Sequence, residues 1–123
     1  MPGVIVYRFG APLIFSNAEA FKDTGKKLLI QAGEKGELPN TIVIDFEEVT
    51  FVDTTGAAAV TDLFAYAQRY DVELSLARVH SATHQILQLA GAVDEIGEGR
   101  IYRTVRNAVD AATQKHDKEA AGS

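Results

Sequence analysis

The stretch Thr41-Ile-Val-Ile-Asp-Phe-Glu-Glu-Val-Thr-Phe-Val-Asp-Thr-Thr-Gly56 constrains this chain most. It opens as a β-rich apolar run, Ile42 to Phe46. It passes an acidic turn at Glu47 and Glu48 and closes on Asp53-Thr54-Thr55-Gly56. Ala57 to Ala59 and a helical pattern follow, so a buried strand feeds a helix whose first turn carries a carboxylate, two hydroxyls and a glycine. Unpaired N–H groups at such a terminus attract negative charge, and a hydroxyl there can accept a phosphate. In its simplest role Asp53 caps the helix by accepting from the Thr55 or Gly56 N–H, a contribution of about 1 kcal/mol. The same turn can also serve as a surface for a partner or an anion.

The flanking segments give the rest of the fold. Val4 to Phe9 reads as a strand, Gly10-Ala-Pro12 as a turn, and Leu13-Ile-Phe15 as a second short strand that makes a hairpin with the first. Ser16-Asn-Ala-Glu19 has the spacing of a capping box and predicts a helix from about Asn17. Phe21, Leu28 and Leu29 form its buried face and Lys22, Lys26 and Lys27 its wet face, with Gly33 and Gly36 ending it. Ile42 to Phe46 is the most apolar strand and belongs at the centre of the sheet. Ala57, Val60, Phe64 and Ala67 fall on one face of the next helix. Val72 to Ala77 alternates as a half-buried strand. Ser81 starts a third helix that Gly91 ends, Ile101-Tyr102 is a short last strand, and Thr104 caps a final helix over Val105, Ala108, Val109 and Ala112. The expectation is one α/β domain over residues 3–113, with a sheet of four to five mostly parallel strands and about four helices, and a flexible C-terminal tail over 114–123. In such sheets binding takes place outside the carboxyl ends of the strands. Phe15-Ser-Asn17, Phe51 to Gly56 and Arg78 to Ser81 leave strands there and are expected to converge.

Composition narrows the function. With 123 residues, 46% of them hydrophobic and 24% charged, the chain can bury a core. It has no cysteine, which excludes disulfides, thiolate chemistry and Cys-ligated metal. The net charge of −5, with Lys26-Lys27 as the only adjacent basic pair, argues against nucleic-acid binding. No apolar run approaches the roughly 20 residues that span a bilayer. His80 and His84 stand at i, i+4 but read as an exposed helix face, so no metal is assigned. Glu47 and Glu48, adjacent in a turn, point apart. No phosphate-cradling glycine loop or nucleophile elbow occurs. The residues therefore point to a binding module with no cofactor and no catalytic residue.

With these elements in place the chain resembles a STAS domain, the family shared by bacterial anti-sigma factor antagonists and the tails of SulP-type anion transporters. Val52-Asp-Thr-Thr-Gly56 is similar to the family's Asp-Ser/Thr-Ser/Thr-Gly at the start of its second helix. Gly3-Val-Ile-Val-Tyr-Arg-Phe9, Ala11-Pro-Leu-Ile-Phe-Ser-Asn-Ala18, Leu76-Ala-Arg-Val79 and Ile101-Tyr-Arg-Thr-Val-Arg-Asn-Ala108 resemble the transporter branch. The resemblance implies a STAS (anti-sigma factor antagonist-like) fold and a non-catalytic regulatory domain on the cytoplasmic side of a SulP-family sulfate or related anion transporter. Its implied partners are the transporter membrane domain, a second copy of itself or another regulatory protein. A free-standing anti-sigma factor antagonist, regulated by phosphorylation at Thr54, is the alternative within the family. Antagonists usually carry serine there. A small nucleotide-binding protein or NTPase is the alternative from another class. Asn17, Asp53, Thr54, Thr55, Gly56 and Arg78 are the residues expected at an anion, nucleotide or partner surface, with nucleotide binding weak at most.

Overall fold

The computed structural model describes the backbone of residues 3–122 and the side chains of 3–114. Four strands, β1 (Val4–Arg8), β2 (Thr41–Asp45), β3 (Glu73–Ala77) and β4 (Ile101–Tyr102), lie in the order β1-β2-β3-β4, and every pairing is parallel. Parallel neighbours need crossovers, and helices supply them. The helices are α1 (Ala18–Glu34), α2 (Thr54–Gln68), α3 (Ser81–Leu89), α4 (Ala92–Ile96) and α5 (Val105–Gly122), with a 3-10 turn at Glu98–Arg100 before β4.

The two faces of β2 show how the sheet is covered. Ile42 and Ile44 point into the main core with Phe21, Leu29, Val60, Leu63, Leu74, Leu76 and Leu87, which α1 to α3 and β3 contribute. Val43 points the other way, onto Ala77 and Ala108, with Val105 and Val109 of α5 beside them. Every residue of β2 is buried, as its continuous apolar run requires of a central parallel strand. Ala57, Val60, Phe64 and Ala67 of α2 are buried as the periodicity predicts.

Several local expectations are corrected. Leu13–Phe15 forms no hairpin strand. Leu13 makes only an isolated parallel bridge to Val52, because the chain leaves β1 toward α1 and meets β2's exit segment instead. The Ser16–Glu19 capping box does not form. Asn17 is the N-cap of α1, and its side chain secures the preceding loop, accepting from the Ile14 N–H at 2.9 Å and donating to the Pro12 carbonyl at 2.8 Å. The third helix is two, because Gly91 at φ +86° turns the chain into α4. Lys22 is mostly covered, bridging Glu19 at 2.9 Å and Asp62 of α2 at 3.3 Å, and these bonds raise its pKa. Thr104 caps α5 as expected, accepting from the Asn107 N–H. The tail expected over 114–123 falls on residues of which all but Gln114 have side chains outside the described residues.

Candidate functional site at the carboxyl end of the sheet

Two groups of side chains meet the solvent where the strands end. The first is built on the start of α2. Asp53 caps it with both oxygens engaged: Oδ1 accepts from the Gly56 N–H at 2.7 Å, and Oδ2 accepts from the Phe15 N–H at 2.9 Å. One carboxylate thus fixes the helix start and ties it to the loop after β1. Backbone bonds repeat the tie: the Leu13 N–H donates to the Phe51 carbonyl, and the Asp53 N–H to the Leu13 carbonyl. Gly56 is required by this approach, since a Cβ on it would sit 2.2 Å from the Leu13 carbonyl oxygen. Thr54 and Thr55 face solvent. Phe15 and Phe51 flank them, 74% and 51% exposed. A polar helix start bordered by two bare aromatic rings has the composition of a protein contact.

The second group surrounds Asp45, the last residue of β2. Its side chain is fully buried and accepts from Arg78 at Nε (3.0 Å) and Nη2 (2.6 Å), from Arg8 Nε at 2.9 Å and from the Glu47 N–H at 3.1 Å. Burial pushes the Asp45 carboxyl upward. The bonds from Arg78, the Glu47 N–H and Arg8, with the attraction of the Arg78 charge, outweigh it and hold the pKa below the usual carboxylate value. The same pairing raises Arg78. Arg78 adopts φ +57°, which turns its guanidinium back over the ends of β2 and β3, and Nη2 also meets Glu47 at 2.8 Å. Glu47 is therefore paired and does not point freely into solvent.

The structure thus joins Asn17 and Asp53–Gly56 through the Leu13–Phe15 loop. It places Arg78 in the neighbouring cluster, and among the described residues no hydrogen bond or ion pair links the two. The sequence reading missed Asp45 and Arg8. The available signal was an acidic residue ending the most apolar strand, with an arginine ending the strand beside it; the register sets Arg8 directly against Asp45. His84 Nε2 lies 3.0 Å from Glu98, brought there by the 3-10 turn. His80 Nε2 meets the Glu47 carbonyl. Among the described residues no three His, Cys, Asp or Glu side chains are grouped as metal ligands, and no helix is long and apolar enough to cross a membrane.

A pH dependence follows from Asp45. Its folded pKa is depressed, so its stabilisation is present above the unfolded value near 3.8 and is lost as pH falls through the folded pKa. Urea unfolding between about pH 3 and pH 7 is expected to show a falling midpoint below about pH 4. Asp45→Asn, less stable at pH 7, is expected to show a shallower acid loss, and an equal slope in both proteins would contradict the assignment.

Comparison with known proteins agrees with this architecture. The sequence profile of the STAS domain family matches residues 1–108. Sulfate transporter 1.2 of Arabidopsis thaliana is 32% identical over 97% of the chain, and the chain spans 19% of that transporter's length. Among solved structures, the STAS domain of a SulP transporter from Vibrio cholerae superposes with a TM-score of 0.77 at 23% identity, over 96% of this chain and 87% of that one. A putative anti-sigma factor antagonist from Thermotoga maritima gives 0.76 at 18% identity, over 92% and 90%. At these identities the two superpositions show the shared fold. The match over residues 1–108, together with a four-stranded parallel sheet whose second helix starts at Asp53-Thr-Thr-Gly56, establishes that the chain belongs to the STAS domain family, with sequence similarity to the STAS domains of sulfate transporters.

Proposed function

We propose that this chain is the regulatory, non-catalytic domain of a SulP-family transporter of sulfate or a related anion, held on the cytoplasmic side of the membrane. The observation that carries the reading is the 32% identity to a sulfate transporter along 97% of the chain, which corresponds to 19% of the transporter's length. The site supports it. Both Asp53 oxygens are spent on backbone N–H groups, and Arg78 is spent on Asp45 and Glu47. What remains exposed around them is a surface of Phe15, Phe51, Thr54 and Thr55, which suits a protein contact. That surface would meet the membrane domain of the parent transporter. A nucleotide near Asn17, Asp53–Gly56 and Arg78 would be held weakly, because the arginine's charge is already neutralised.

Thr54 is the position at which a phosphate would act. It would add about −1.5 to −2 charges beside Asp53, changing recognition while leaving the packing alone. Thr54→Glu approximates part of that charge. We expect its thermal midpoint to stay within about 2 °C of the unmodified domain, since surface substitutions shift stability little. Binding of the purified domain to the parent membrane domain in detergent, followed by calorimetry, is expected to weaken about tenfold or more (about 1.4 kcal/mol). Absence of binding by the unmodified domain, or equal affinity in the variant, would contradict this docking mode.

A further inference from the structure

A second apolar surface lies between α1 and the end of α2, at the opposite end of α2 from Thr54. Ile30 of α1, Leu38 after it and Tyr70 after α2 are exposed there. They border a groove of about 310 Å³ whose walls include Leu29 and Tyr66. Gly33 keeps the groove open toward Leu38, since a Cβ on it would already touch the Leu38 side chain at 3.7 Å. Single exposed apolar residues are ordinary on a surface. A concavity of about 300–1,000 Å³ with apolar and aromatic walls and a few polar groups is the usual form of a small-molecule site.

Charge and ring placement indicate the ligand. Among the described residues Glu34 is the one charged side chain that lines the groove; it is exposed and has no ion-pair partner there. The groove also holds two tyrosine rings, Tyr66 and Tyr70, 5.3 Å apart between centroids and tilted by 58°. The face of such a ring attracts a cation, and the chain itself uses one: the Lys26 ammonium lies 5.2 Å from the Tyr66 ring centre. Among the described residues no ammonium or guanidinium stands over Tyr70. Lys26, Ile30 and Glu34 follow at i, i+4 and i+8 on one stripe of α1, so Glu34 stands about 12 Å along the helix from Lys26. Both helices cross between parallel strands and run the same way, so Tyr70 lies beyond Tyr66 in the same direction. The end of the groove away from Lys26 thus combines a free ring face, an unpaired carboxylate and aliphatic walls. These parts suit an alkylammonium ion: ring and carboxylate take the charge, and the aliphatic side chains take the hydrocarbon. An anionic head would face the Glu34 carboxylate instead.

We infer that the groove between Ile30 and Tyr70 is a binding site for a small amphipathic organic cation, an alkylammonium whose head lies against Tyr70 and Glu34 and whose chain lies along Ile30 and Leu38 over Leu29. The site stands apart from the surface around Asp53 and does not depend on which protein the domain serves.

Titration of the isotope-labelled 123-residue chain with hexyltrimethylammonium, followed by amide chemical shifts, tests it. Hexanamide and hexanoate serve as neutral and anionic probes of similar length. The ammonium is expected to bind with a Kd of about 1 mM or below, shifting the amides of Ile30 to Glu34 and of Tyr70. It is expected to bind at least about fivefold more tightly than either other probe. Glu34→Gln and Tyr70→Leu keep the groove apolar, and each is expected to weaken the ammonium about threefold or more while leaving hexanamide within about twofold. Gly33→Leu fills the groove and is expected to abolish binding of every probe. All three positions are exposed, and unchanged circular dichroism confirms folding; should Gly33→Leu unfold, the other two variants decide. No saturable shift up to about 10 mM would overturn the proposal. So would equal affinity for the three probes, shifts that map away from the groove, or an ammonium affinity indifferent to both Glu34→Gln and Tyr70→Leu.

Discussion

Ile44→Asp is expected to abolish the folded domain. Ile44 sits at the centre of β2 with no exposed surface, packed in the main core between the helices on one side of the sheet. Removing it forfeits about 1.5–3 kcal/mol of burial, and a carboxylate in its place finds neither water nor a cation. The nearest arginines, Arg8 and Arg78, point at Asp45 on the opposite face, because side chains alternate along a strand. An unpaired buried charge adds several kcal/mol more. Together these approach the whole stability of a domain this size, about 5–15 kcal/mol. Circular dichroism at 25 °C should show an unfolded or collapsed chain. A cooperative melt close to that of the unmodified protein would mean that β2 does not hold the centre of the sheet.

The second large effect is expected at Gly56. An alanine Cβ there would lie 2.2 Å from the Leu13 carbonyl oxygen and 2.8 Å from its carbon, a clash with backbone that no rotamer relieves. Helix α2 would have to retreat from the Leu13–Phe15 loop. That retreat breaks the Asp53 bond to the Phe15 N–H and the bonds between Leu13 and the Phe51–Asp53 segment. Overpacking of this kind costs about 1–3 kcal/mol, and a lost cap about 1 more. Gly56→Ala is therefore expected to lower the thermal midpoint by about 10 °C or more. Gly99→Ala is the control: nothing lies within 4 Å of its added Cβ, so its midpoint should move by no more than about 2 °C. Equal melts for both variants would remove the close approach on which the Asp53 platform rests.

The sequence revealed the features that rest on local chemistry. The apolar run Ile42–Phe46 could only be a buried strand, and the spacing of Ala57, Val60, Phe64 and Ala67 could only be one helix face. Asp53 ahead of two threonines and a glycine announced its cap. Interactions between distant segments were less legible. Ser16 and Glu19 had capping-box spacing, yet Asn17 stands at the N-cap without a side-chain cap bond, its amide securing the Pro12–Ile14 loop instead. Leu13–Phe15 looked like a hairpin strand because its composition suits one. Its real partner, Val52, is 39 residues away and lies parallel to it. Asp45 read as one polar residue in an apolar strand. Only the register of β1 against β2, and the left-handed turn at Arg78, show it as a carboxylate gripped by two arginines. The meeting of Phe15–Asn17 with Phe51–Gly56 was legible from the order of strands and helices, whereas the exposure of the Phe15 and Phe51 rings follows from the fold alone.

Regulation of transport without chemistry is the centre of this account, and uptake of labelled sulfate by the full-length parent protein in proteoliposomes tests it most directly. The comparison is between the unmodified protein and one carrying Phe51→Ala with Thr54→Glu in this domain, at equal protein incorporation. The account predicts that the double variant changes the maximal uptake rate severalfold and leaves the half-saturating sulfate concentration unchanged, because the domain contacts the membrane domain and not the anion. Uptake identical in rate and saturation for the two proteins would contradict it.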